Sequence, residues 1–253
     1  MPTHATPVVF LHGLLGSKQD WQQVTDILQI SGKILPLAID LPCHGERSSQ
    51  GCRDFYDVRQ QLHAFFQTHF VDQPFWLVGY SLGGRLALDY SLNQPNANLL
   101  GTIVEGANIG LKNEQERQAR WQNDQQWAER FCREPIENVL ADWYQQPVFA
   151  SLTAPQRQQL ITERKHNNGS KIAEMLQATS LAKQANFRGS HWQKIHFLIG
   201  EKDQKFRQMA EENRLPYRLI ANAGHNAHWE NPHAFCEQLI ERIRNENGTT
   251  KMP

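Results

Sequence analysis

Ser81 sits in the string Gly79-Tyr80-Ser81-Leu82-Gly83, directly after the apolar run Phe75–Val78 and before Arg85-Leu86-Ala87-Leu88. A strand, a tight turn and a helix start are implied, with the serine at the turn and a glycine two residues away on each side. This is the pattern of a nucleophile elbow, in which a strained residue aims its hydroxyl out of the chain. A serine hydroxyl is a weak nucleophile or base until a histidine takes its proton and a carboxylate orients that histidine. The elbow therefore predicts an acid and then a histidine downstream. His196-Phe197-Leu198-Ile199-Gly200 leads into Glu201-Lys202-Asp203, and Tyr217-Arg218-Leu219-Ile220 leads into Ala223-Gly224-His225. Asp203 and His225 are the expected partners, with Glu201 and His228 as competitors. Upstream, Val9-Phe10-Leu11-His12-Gly13-Leu14-Leu15-Gly16 can aim a backbone N–H at developing oxyanion charge. The expected donors are the amides of Leu14 and Leu82, while His12 is expected to bond loop backbone.

These residues need elements that bring them to one edge. Short apolar runs at Val8–Leu11, Lys33–Ile39, Phe75–Val78, Gly101–Val104, Ile195–Ile199 and Tyr217–Ile220 alternate with helical patterns. That alternation predicts an α/β fold, a mainly parallel sheet with helices on both faces, whose ligands collect at the carboxyl ends of the strands. From 107 to 190 the texture turns glutamine-rich and helical. Trp121, Trp127, Phe131, Trp143, Tyr144 and Phe149 give this stretch too many aromatics for a disordered linker, so it is expected to fold as a helical cap. Residues 1–106 and 191–253 would then form the core, and the tail from Arg244 to Pro253 reads as disordered.

The chain has 253 residues, and its 26 basic residues equal its 26 acidic ones. One large domain fits this length, and the charge balance leaves no global field for nucleic acid or an anionic membrane. No apolar stretch approaches the ~20 residues of a spanning helix. Met1–Pro7 shows no basic, apolar leader, which makes the cytoplasm the expected compartment. Cys43, Cys52, Cys132 and Cys236 are scattered without metal-ligand spacing and are expected to be reduced thiols.

Together the elbow, the His12-Gly13 turn, Asp203 and the Gly224-His225 pair resemble the α/β-hydrolase fold across the whole chain. A narrower likeness lies in Val104-Glu105-Gly106, in Ala141–Leu152, in Asn167-Asn168-Gly169, in Gly200–Phe206 and in Ala223–His228. These resemble the 2-succinyl-6-hydroxy-2,4-cyclohexadiene-1-carboxylate synthases of menaquinone biosynthesis, Ala141–Leu152 being the most specific. The resemblance implies a lyase that needs no cofactor and eliminates pyruvate from a small anionic substrate with three carboxylates. It implies Ser81 as a base assisted by His225 and Asp203, and Arg85, Arg120 and Arg164 as carboxylate-binding residues. It also implies Tyr80, Trp143 and Phe149 as pocket residues. Arginine suits that task through its planar fork. In the turn Asp40-Leu41-Pro42-Cys43-His44-Gly45, Cys43 stands where many α/β hydrolases carry glycine. Competing readings are an esterase or carbon–carbon bond hydrolase, and a non-catalytic binding protein. A monomer or weak homo-oligomer is expected.

Overall fold

The computed structural model of the protein describes residues 5–249. Among them six strands, β1 (Thr6–Leu11), β2 (Ile34–Ile39), β3 (Phe75–Tyr80), β4 (Leu99–Glu105), β5 (Ile195–Gly200) and β6 (Tyr217–Ile220), form one sheet in the order β2-β1-β3-β4-β5-β6. Every neighbouring pair is parallel, so all carboxyl ends lie at one edge. The six expected segments are the six strands, with β1 and β4 opening two residues earlier than the apolar runs alone indicate.

Burial on both faces explains the nearly continuous apolar runs. Val8, Phe10, Trp76 and Val78 pack with α1 (Gln22–Ile30) and α10 (Pro232–Thr249). Their neighbours Val9, Leu11, Phe75 and Leu77 face the other way. They meet α2 (Phe55–His69), α3 (Leu82–Asn93) and α8 (Gln204–Glu212). A four-residue helix, α9 (Ala227–Glu230), precedes α10.

Between β4 and β5 the chain forms α4 (Glu114–Arg133), α5 (Ile136–Trp143), a 3₁₀ turn at Pro147–Phe149, α6 (Ala154–Arg164) and α7 (Gly169–Ala178). Side chains start these helices where the sequence offers caps. Asn113 accepts from the Glu116 amide, Thr153 and Gln156 form a reciprocal capping box, and Asn168 accepts from the Lys171 amide. The insertion has its own core of Phe131, Leu140, Tyr144, Leu160, Ile172 and Leu176. Leu15, from the loop after β1, enters that core and docks the insertion on the sheet edge.

One expectation fails. The chain beyond Arg244 is not disordered as far as Thr249, because α10 continues to that residue, while 250–253 lie outside the described residues. Phe235, Cys236, Leu239 and Ile243 anchor the helix on the sheet, and extension from a packed turn gains one hydrogen bond per residue. Among the described residues no helix is long and apolar enough to cross a membrane.

Candidate active site

Ser81 stands between β3 and α3 with φ 48° and ψ −105°, a strained conformation for a residue with a Cβ. Its amide donates to Glu105 O at 2.8 Å, and its carbonyl accepts from the Arg85 amide at 2.9 Å, so both sides of the turn hold it there. The two glycines are needed for close approach. A Cβ on Gly79 would lie 2.3 Å from Gly83 O, and one on Gly83 would lie 2.4 Å from Leu11 O.

Asp203 and His225, after β5 and β6, meet at the same edge, with His225 Nδ1 2.9 Å from Asp203 Oδ2. Asp203 caps α8 by accepting from the Phe206 amide, which fixes the carboxylate. A carboxylate at Nδ1 assigns the proton to that nitrogen and leaves Nε2 able to receive one. The competitors are engaged elsewhere. Glu201 accepts from the Asn222 amide at 2.9 Å, and the buried His228 bonds Glu105 through Nδ1 at 2.8 Å. Ser81 and His225 line one cavity but share no hydrogen bond among the described residues, a separation common before substrate tightens a site.

Leu14 and Leu82 line this cavity as well. Leu82 opens α3, where a helix leaves its first amides without an intrahelical acceptor. Leu14 lies in the turn closed by Gly16 N–H to Gly13 O at 3.1 Å. Two buried histidines hold that turn. His12 Nε2 accepts from the Leu41 amide and His44 Nε2 from the Leu15 amide, while their Nδ1 atoms face Gly13 O and Pro42 O. Burial keeps both neutral, lowering His12 and pushing His44 down to about 3. Cys43 adopts φ 67°, a left-handed conformation that favours glycine, and its thiol is buried 4.0 Å from that of Cys52.

The cavity measures about 280 Å³. Arg85, Arg120, Trp143, Phe149 and Lys205 are in its wall, and among the described residues no Asp or Glu is. Arg85 is buried and bonds Thr179 O at 2.8 Å rather than a carboxylate. Burial first and Arg120 second push it down to about 9, against Asp124. Arg120 is half-buried, and its Nε donates to Asp124 at 2.8 Å. Phe149 packs edge-on to His225 at 6.0 Å.

Two expected pocket residues lie elsewhere. Tyr80 is buried behind the elbow, its hydroxyl bonded to Asn226 Oδ1, and does not reach the cavity. Arg164 is paired with Asp20 at 2.8 Å and bonded to the Tyr144 hydroxyl, at a separate cleft. Asp20 is 144 residues away in the chain, so spacing within the insertion could not reveal the pair. Lys205 was hidden for the opposite reason, since a lysine in a helix's first turn reads as a solvated residue.

A serine elbow after the third strand of a parallel sheet, with an acid after the fifth and a histidine after the sixth, defines the α/β hydrolases, and a sequence model described as the Alpha/beta hydrolase family matches residues 8–238. The chain is 47% identical over 237 residues to the 2-succinyl-6-hydroxy-2,4-cyclohexadiene-1-carboxylate synthase of Klebsiella pneumoniae, covering 92% of each. It is 46% identical over 242 residues to the synthase of Yersinia pseudotuberculosis, covering 94% of this chain and 87% of that one. MenH from S. aureus superposes with a TM-score of 0.86 at 27% identity, covering 96% of this chain and 94% of the other. An esterase from Thermogutta terrifontis, at 16% identity and a TM-score of 0.77, shares the fold alone. The chain belongs to the 2-succinyl-6-hydroxy-2,4-cyclohexadiene-1-carboxylate synthase family of α/β hydrolases.

Proposed function

We propose that this protein eliminates pyruvate from 2-succinyl-5-enolpyruvyl-6-hydroxy-3-cyclohexene-1-carboxylate, giving 2-succinyl-6-hydroxy-2,4-cyclohexadiene-1-carboxylate in menaquinone biosynthesis. The observation that carries this reading is a cavity holding Ser81 and His225, walled by arginine and lysine with no carboxylate of its own. Such a wall suits a polyanion. Helices 107–190 act as the cap that closes over it.

In the reaction Ser81 acts as a base. Its hydroxyl takes the ring proton as its own proton passes to His225 Nε2, and Asp203 stabilises the resulting imidazolium. The electron pair left on the ring carbon spreads onto the succinyl ketone oxygen, where the Leu14 and Leu82 amides receive the charge. That pair then forms the C2–C3 double bond while the ring's existing C3–C4 double bond shifts to C4–C5, breaking the C–O bond to the enolpyruvyl group. Pyruvate departs in its enol form after taking back a proton. Arg85 and Arg120 hold carboxylates away from the reacting carbon, and Trp143 and Phe149 exclude water.

Pyruvate release from this intermediate, measured beside hydrolysis of a p-nitrophenyl ester, tests the reading. The expected result is fast elimination and slow ester turnover. Faster ester hydrolysis would make the protein an esterase.

A further inference from the structure

The lysine missed by sequence spacing has a place in this site. Lys205 is the second residue of α8, two positions after Asp203, and lines the cavity with Arg85, Arg120 and His225. A cation in the first turn of a helix faces the positive end of the helix dipole, so this position is electrostatically unfavourable for an ammonium without a compensating anion. Among the described residues no carboxylate forms an ion pair with it. Its recorded partner is the adjacent Phe206 ring, 5.6 Å away. The neighbouring acids are committed, Asp203 to His225 and Asp124 to Arg120 and Ser180.

We propose that Lys205 binds substrate, its ammonium taking one carboxylate beside those held by Arg85 and Arg120. This rests on the function proposed above and alters the set of carboxylate-binding residues, with Lys205 standing in the cavity where Arg164 does not. The cavity then offers three cations to a substrate with three carboxylates. The electrostatics agree. Burial and the Arg120 charge hold the Lys205 ammonium below the ordinary lysine value against the pull of Asp203, so an incoming anion removes a strain already present. The cavity wall screens the Lys205 ammonium from water only in part, and the residue as a whole stays exposed, so a ligand can reach it from solvent.

The test uses the whole protein and two readouts. The first is calorimetric binding of the product analogues, pyruvate and a benzoate with an ortho succinyl group, which between them carry the substrate's three carboxylates. The second is pyruvate release. Lys205→Gln should weaken analogue binding and raise KM by about tenfold to a hundredfold with kcat changed far less, and Lys205→Arg should restore part of the loss. Both variants should melt with the wild type, since no ion pair is removed. Unchanged analogue affinity and KM in Lys205→Gln would overturn the assignment. A wild-type protein that binds the analogues yet releases no pyruvate would contradict the proposed function, while the affinity of Lys205→Gln would still decide the role of Lys205.

Discussion

Two openings flank the turn after β1, with Leu14 in the wall of one and Leu15 in the wall of the other, and each contains a buried arginine. Arg85 is 9% exposed and Arg164 is 7% exposed, so burial does not distinguish them. Their partners do. Arg164 faces Asp20, and that pairing, with the Tyr144 and Tyr80 hydroxyls, overcomes burial and raises its pKa above the ordinary arginine value. Burial likewise pushes Asp20 up, yet the Arg164 charge and hydrogen bond leave it below the usual carboxylate range. Arg85 has a carbonyl and an amide oxygen instead, and its pKa falls. The larger opening, about 680 Å³, is balanced by Asp20 and Glu163, whereas the smaller has cations and no acid. A buried cation already matched by the fold is a structural joint. One left unmatched beside a serine and a histidine is prepared for a ligand.

The largest expected effect lies in the unmatched cavity. Ser81→Ala or His225→Ala should each lower pyruvate release by about 10³-fold or more, and the double variant should lose little beyond the worse single one, because the two act as a unit. Independent, multiplying losses would remove the serine–histidine relay from the mechanism.

The matched joint should respond in stability first. Asp20→Asn or Arg164→Met leaves one buried charge alone and should cost about 3–5 kcal/mol in urea unfolding, while the double variant should lose less than the sum. Turnover should fall too. The Asp20 carboxylate packs against Gly16, and Asn167 holds Leu15 O at 2.8 Å, so loosening the joint disturbs the turn that carries the Leu14 amide. Additive stability losses would show that the pair is not the joint.

A smaller effect is expected from pH. His44 has a folded pKa of about 3, below its unfolded value of 6.5, so the unfolded chain binds more protons between those limits. Its contribution to stability is therefore complete above pH 6.5 and is lost as pH falls towards 3. His12, also lowered, adds in the same direction. Urea midpoints should drop between neutral and acid pH, and His44→Gln should flatten that drop. An unchanged slope would show that His44 is not the responsible group.

What the sequence made legible follows the range of the interaction. Period and punctuation are local, so all six strands and the elbow at Ser81 could be read, and the order of acid and histidine points to Asp203 and His225, which the sheet edge brings within 2.9 Å of each other. Pairing across the chain is not local. Nothing near Arg164 points to Asp20, and nothing near Tyr80 points to Asn226, so the sequence offers no local signal against the pocket roles that the resemblance implies for both, and neither lines the cavity. Lys205 is the converse, a residue whose short-range context says solvent while the fold turns it towards the site. The tail from Arg244 reads as disordered because it is polar with a glycine and has no apolar residue before Met252, whereas the anchor lies one residue earlier at Ile243, after which α10 simply continues.

The contrast between the two arginines is tested most directly by Arg85→Met and Arg164→Met, which keep an apolar stem and delete the charge. Melting temperature and kcat/KM for pyruvate release are measured on both. Arg85→Met should lose about tenfold to a hundredfold in kcat/KM and melt at or above the wild type, since an unmatched buried charge is gone, whereas Arg164→Met should melt lower. An Arg85→Met protein that melts lower while keeping wild-type kcat/KM would contradict the account.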